Sequence, residues 1–212
     1  MNKSKAAWFL AATTVLLVVP FAGPAFAGPA TEAIQQTHEA VLLVLHDKEL
    51  SRPERTAERQ HELIRVIGQR FNYRAMGRHI LGLQWPLLRD DERAEFIELF
   101  RLLLLKTYAH YLDGAKDQRL HYLDEQVDQG HALVRTKLVT PHRELPIDFS
   151  VFENAGGWQI YDVAVEGISL IQSYRSQFKR LLRFSSYTSL VEKLREKVCH
   201  AECDGWRVHA IR

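Results

Sequence analysis

The chain has 212 residues, 46% of them hydrophobic, with 28 Lys and Arg against 26 Asp and Glu. That length supports one domain with a sizeable core. The near balance of charge excludes a protein that grips nucleic acid through a bulk basic excess.

The first 27 residues read as an export signal. Lys3 and Lys5 form a short positive region, an apolar run follows from Ala6 to about Val19, and "AFA" ends at Ala27 in a small-x-small cleavage pattern. The run is shorter than the roughly 20 residues a spanning helix needs. A soluble, exported chain starting near Gly28 is expected, with 26 basic and 26 acidic residues once Lys3 and Lys5 are gone.

Residues 31–49 place Ile34, Val41, Leu42 and Leu45 at helical spacing. Pro53 opens a second helix through Phe71, with Ser51 as its expected cap and Leu63, Ile64 and Ile67 on its apolar side. A shorter helix, "YRAMGRHILG", ends at Gly82. The stretch "DDERAEFIELFRLLLLKTYAHYL" begins with acids, which the positive end of a helix dipole favours. Its four consecutive leucines span most of the helix circumference, so it should be buried on several sides. Either ordinary core or a wall shared with an apolar cavity would do this.

From residue 119 the period changes to that of strands. "RLHYLDEQV", "HALVRTKLVT", "ELPIDFSVF" and "GWQIYDVAV" are β-prone runs separated by "DQG", "PHR" and "NAGG". They predict a four-stranded antiparallel meander. A helix over about 167–183 and another in "SYTSLVEKLREKV" follow. Helices, a meander and more helices make an α+β domain with a curved sheet packed on helices.

Catalytic and metal constellations do not emerge. The ten histidines include no H-E-x-x-H or comparable ligand pair. Asp162 and Glu166 on one extended strand would stand roughly 13 Å apart, beyond the about 5–9.5 Å of paired glycosidase carboxylates. Ser169 lacks a G-x-S-x-G elbow, and no phosphate-cradling glycine loop appears. Asp162 and Arg175, among apolar neighbours, are expected to hold structure by hydrogen bonds or an ion pair. Cys199 and Cys203 in "VCHAECDGW" could form a local disulfide, stay unpaired, or join His200 and His209 at a metal, whose spacing fits no strong zinc pattern. Neither an enzyme nor a cofactor is expected.

The segments "FNYRAMGRHILGLQW", "RAEFIELFRLLLLKTYA", "VRTKLVT", "PIDFSVF", "GGWQIYDVAVEGISLIQSYRSQF" and "SSYTSLVEKLREK" resemble, in order, the periplasmic phospholipid carriers of the maintenance-of-lipid-asymmetry pathway. That family is also described as toluene-tolerance auxiliary proteins of an ABC transporter. The resemblance covers most of residues 31–197 and implies an NTF2-like α+β fold with a deep apolar pocket between sheet and helices. It further implies that glycerophospholipid acyl chains are carried there between an outer-membrane lipoprotein–porin complex and an inner-membrane Mce-domain ABC transporter. Hopanoid or another apolar cargo, or a non-carrying adaptor role, are the alternatives.

On this reading residues 28–197 form the carrier domain and 198–212 a tail of unassigned role. Each buried methylene is worth about 0.8 kcal/mol, so acyl chains cannot cross water unshielded. The expected lining is Leu81, Trp85, Phe96, Phe100, Leu103, Leu104 and Tyr108 from the helices, with Phe149, Val151, Ile160, Val163, Val165, Ile168 and Leu170 from the sheet and its exit.

Overall fold

A computed structural model describes residues 28–113, 118–141 and 143–203, with 109–113 and 199–203 described in backbone only. In chain order these form α1 (Pro29–His46), a 3-10 turn (Pro53–Arg55), α2 (Thr56–Gly68), α3 (Tyr73–Leu81), a second 3-10 turn (Gly82–Leu87) and α4 (Asp90–Asp113). Then come β1 (Arg119–Asp128), β2 (His131–Val139), β3 (Glu144–Asn154), β4 (Gly157–Val165), β5 (Ile168–Ser169), α5 (Leu170–Phe184) and α6 (Tyr187–Cys203). The fold is α+β, as the change of period at residue 119 predicts. No helix among the described residues is long and apolar enough to cross a membrane. The proposed export signal and the end of the tail lie outside the described residues.

The five strands follow sequence order, each antiparallel to the next. Two bulges bend the sheet. Leu123 is the extra residue between Tyr122 and Asp124 on β1, and Tyr161 is extra on β4 opposite Ser150 and Val151. An unpaired residue on one strand raises local twist, which supplies the expected curvature. The outer edge of β4 is closed in two ways. Residues 70–72 exchange backbone hydrogen bonds with Ile160, Asn72 donating to its carbonyl at 2.8 Å and Arg70 accepting from its N–H at 2.8 Å. Farther along, β5 pairs Ser169 with Ala164.

Three details correct the sequence reading. The second helix is not capped by Ser51: Pro53–Arg55 first form a 3-10 turn with Arg52 before it, because proline fixes φ but cannot enforce the wider α turn. The expected helix at 167 starts only at Leu170. Glu166 and Gly167 both take positive φ, 51° and 77°, and turn the chain back into β5 before Ser169 caps the helix. And β5 makes the sheet five-stranded where four strands were expected; Asp162 holds structure through hydrogen bonds, one of the two roles expected of it, without an ion pair to Arg175.

Helix α1 owes its start to a strand. Gly28 has no side chain to cap it, so Glu125 of β1 accepts from the first free amides, Thr31 N–H at 2.7 Å and Ala30 N–H at 3.4 Å. The carboxylate also faces the positive helix end. This contact fixes α1 across the sheet, where Ala30, Ala33 and Ile34 pack on Ala132, Val134, Val151, Trp158 and Ile160. Beyond the sheet, Val41, Val44 and Leu45 join Leu63 and Val66 of α2. A larger helical core gathers Met76, Ile80 and Leu81 of α3, Phe96, Phe100, Leu103 and Leu104 of α4, Ile171, Tyr174 and Phe178 of α5, and Leu190, Leu194 and Val198 of α6. Phe71 packs against both the helical and the sheet core and joins them.

Candidate functional site

Strand alternation puts one set of side chains on the sheet face that α1 crosses. Register lines them up in rows across the strands: Ala132, Val151 and Ile160; then Val134, Phe149 and Val163; then Tyr122, Thr136, Ile147 and Val165; then Leu120, Leu138 and Leu145. The first row is buried under α1. Burial then fades along the strands, and Leu120, Tyr122, Leu138, Leu145, Ile147, Phe149 and Val163 are only half-buried. The face therefore stays apolar past the point where its covering helix ends. Thr136 does not break this character, since its hydroxyl donates to the Ile147 carbonyl at 2.6 Å and is fully enclosed.

The polar pair on this face is uncharged at neutral pH. The Tyr122 hydroxyl lies 3.4 Å from His38 Nδ1. Burial pushes the phenol up to about 12, with the Glu39 charge adding to it, and the same burial holds the imidazole below its ordinary value of 6.5. Helix α4 supplies a second apolar surface. Between α2 and α4 lies an open cleft of about 210 Å³ lined by Gln60, His61, Ile64, Arg101, Leu102, Leu105 and Lys106. That is below the about 300–1,000 Å³ of sites that enclose a drug-sized ligand.

The polar residues around the last strand do a different job. The Asp162 carboxylate accepts from the Ser169 hydroxyl, from Ile171 N–H at 3.0 Å and from Val163 N–H at 2.9 Å. Ser169 Oγ in turn accepts from Gln172 N–H at 3.0 Å. Both side chains are spent on starting α5, the carboxylate that holds the Ser169 hydroxyl being tied to the Ile171 and Val163 amides as well. No cluster of three or more potential metal ligands occurs among the described residues; the side chains of Cys199 and Cys203 lie outside them.

A family model described as MlaC protein matches residues 35–196 of the chain. The chain belongs to the MlaC family. Among solved structures, it is similar to the phospholipid-binding protein from Ralstonia solanacearum, determined in complex with a phospholipid. The two share 20% identity and a TM-score of 0.74, over 82% of this chain and 99% of that one. At that identity the likeness establishes a shared fold.

In this MlaC-family chain the expected lining residues fall into three groups. Leu81, Trp85, Phe96, Phe100, Leu103 and Leu104 lie in the helical core, and Val151 and Ile160 in the sheet core, Phe96, Phe100 and Val151 with no exposed surface. Phe149, Val163 and Leu170 are half-buried at the margins of those cores. Tyr108, Val165 and Ile168 are exposed, Ile168 by 68%. The structure adds Leu120, Tyr122, Leu138, Leu145 and Ile147, together with His38, to the uncovered sheet face. Their signal was present in strand parity: residues two apart share a face, so 145, 147 and 149 follow from one another. Which residue of β1 faces which of β2 depended on the Leu123 bulge and was not legible.

Proposed function

We propose that this protein is a periplasmic lipid carrier that holds phospholipid acyl chains against the half-buried apolar face of its sheet, beyond the rows that α1 covers. The observation that carries the reading is that face. Phe149, Ile147, Val163, Leu138 and Leu145 are half-buried neighbours in adjacent rows of the sheet, an apolar surface that none of the described helices seals, on a fold shared with a phospholipid-binding protein. Acyl chains ask only for apolar walls and no charge, and the neutral Tyr122–His38 pair meets that condition.

Residues 1–27 serve as the export signal on this reading, and 28–197 as the carrier domain. The partners would be an outer-membrane lipoprotein–porin complex and an inner-membrane Mce-domain ABC transporter. The cargo is exchanged between them without bond making and without a cofactor.

The test is the lipid inventory of protein purified from its periplasm. Organic extracts should contain phospholipid at a substantial fraction of the protein concentration by mass spectrometry. Ile147→Asp and Phe149→Asp each place a carboxylate where an acyl chain would lie. Desolvating an unpaired charge costs several kcal/mol, so lipid recovery should fall by more than about tenfold, with far-UV circular dichroism unchanged. Wild-type extracts containing only background lipid would refute the carrier reading. A hopanoid in place of phospholipid would correct the cargo.

A further inference from the structure

Residues 73–88 and 170–184 contain no Asp or Glu, yet carry Arg74, Arg78, Arg175, Lys179, Arg180 and Arg183 together with His79. All seven side chains are exposed. The chain as a whole is nearly balanced, so this is a local segregation of charge. Tertiary packing makes it one surface. Helices α3 and α5 pack side by side, and a Cβ at Gly82 would stand 3.4 Å from an Arg175 guanidinium nitrogen. From there Arg175, Lys179 and Arg183 continue along α5 at i, i+4, i+8, one stripe on its solvent side. Among the described residues none of Arg78, Arg175, Lys179, Arg180 or Arg183 forms an ion pair. By contrast, Arg89 and Arg93 beyond the 3-10 turn are neutralised by Asp90, Asp91 and Glu92.

The same surface carries bare apolar knobs. Leu83 and Leu87, on the turn that follows α3, are 90% and 74% exposed, and Phe184 at the end of α5 is 80% exposed. The turn beneath Leu83 and Leu87 is held firmly. Trp85 is buried with Arg74 and Arg93 over its ring at 5.9 and 5.8 Å, and Arg93 donates to the carbonyls of Trp85 and Pro86. Leucines presented outward on an anchored turn are therefore a fixed feature of this face.

We infer that the α3–α5 face is a docking surface for an anionic phospholipid bilayer, the cations lying over headgroup phosphates and Leu83 and Leu87 entering the interface. The charge complementarity is direct, since six cations without acids attract a negative surface potential. Separate protruding leucines beside long basic stems suit a soft interface into which each can sink. Membrane contact also places the carrier where its cargo originates. The inference rests on the carrier reading for that purpose only.

Sedimentation of the purified full-length mature protein with vesicles tests it. One set is neutral phosphatidylcholine and the other contains phosphatidylglycerol at about 30 mol%, a composition that gives a negative surface. The protein should pellet with the anionic set at low salt, stay in solution with the neutral set, and be released as salt rises. Each cation near the surface is worth about fivefold in partitioning, so Arg175→Gln, Lys179→Gln and Arg183→Gln together should weaken attachment on the order of a hundredfold. Lys193→Gln with Lys197→Gln on α6 should leave most of it. Co-purified lipid, measured on the same samples, should be the same in all variants, so loss of attachment and failure of the carrier reading are separate readouts. Wild-type protein that ignores anionic vesicles at low salt would overturn the inference, as would full attachment by the triple variant. Protein that ignores vesicles but is retained by polyglutamate would overturn it in favour of an acidic protein partner.

Discussion

Replacing Asp162 by alanine separates a structural clasp from a catalytic carboxylate. Asp162 is half-buried and accepts one bond from the Ser169 hydroxyl and one from the Ile171 amide across the turn into α5. Hydrogen bonds to a charged group contribute about 1.5–3 kcal/mol each. Partial exposure of the carboxylate argues for the lower part of that range, so the loss should be about 3 kcal/mol. Ile171 itself is buried, so its orphaned amide adds a desolvation cost. Against a total stability of about 5–15 kcal/mol this is a large fraction. In urea unfolding followed by far-UV circular dichroism, with a slope of about 2 kcal/mol per molar, the midpoint should fall by about 1.5 M at unchanged slope. Asp162→Asn keeps one acceptor oxygen and should lose about half as much. A midpoint for Asp162→Ala within about 0.3 M of wild type would refute the clasp and return Asp162 and Ser169 to the list of reactive groups.

Two further outcomes follow from the same geometry. Gly77 sits in α3 where an added Cβ would lie 3.1 Å from Trp85 and 3.3 Å from Phe96. Trp85 is anchored by Arg93 and Phe96 has no free surface, so neither can retreat. Gly77→Ala should lower stability by a net of about 1 kcal/mol, a fall of about 0.5 M in the urea midpoint, overpacking outweighing the helix-propensity gain. Burial holds the folded-state pKa of His38 below 6.5, opposed by the Glu39 charge. Below 6.5 the unfolded chain therefore takes up the proton first, and stability falls as pH drops from there towards the folded value. His38→Gln should flatten this decline, seen as a smaller difference between midpoints measured at about pH 5.5 and 7.5; an unchanged difference would place the titration elsewhere.

Much of the fold was legible because local chemistry fixed it. The hairpin at "NAGG", the switch from helical to alternating period at residue 119, and the acids opening α4 each act within a few residues, and each appears where expected. The site was legible in kind and only partly in position. The helical lining was chosen from leucines and phenylalanines whose burial is real. Burial alone, however, does not distinguish a side chain enclosed by protein, such as Phe96, from one facing an unsealed surface, such as Ile147. That difference depends on where α1 ends its crossing of the sheet.

By itself the sequence determined the main helices and the four long strands, their order, the apolar character of the interior and the absence of a nucleophile elbow or metal-ligand spacing. These are written in periodicity and short-range spacing. Tertiary structure decided the rest. Glu125, on β1, sets where α1 begins and hence which rows of the sheet stay uncovered. The bulges at Leu123 and Tyr161 set the register of the inner face and turn Asp162 towards α5. Packing α3 beside α5 fuses two acid-free segments, whose Gly82 and Arg175 meet across 93 positions of the chain, into one basic face. Each of these depends on contacts between residues far apart in the chain, which no local pattern encodes.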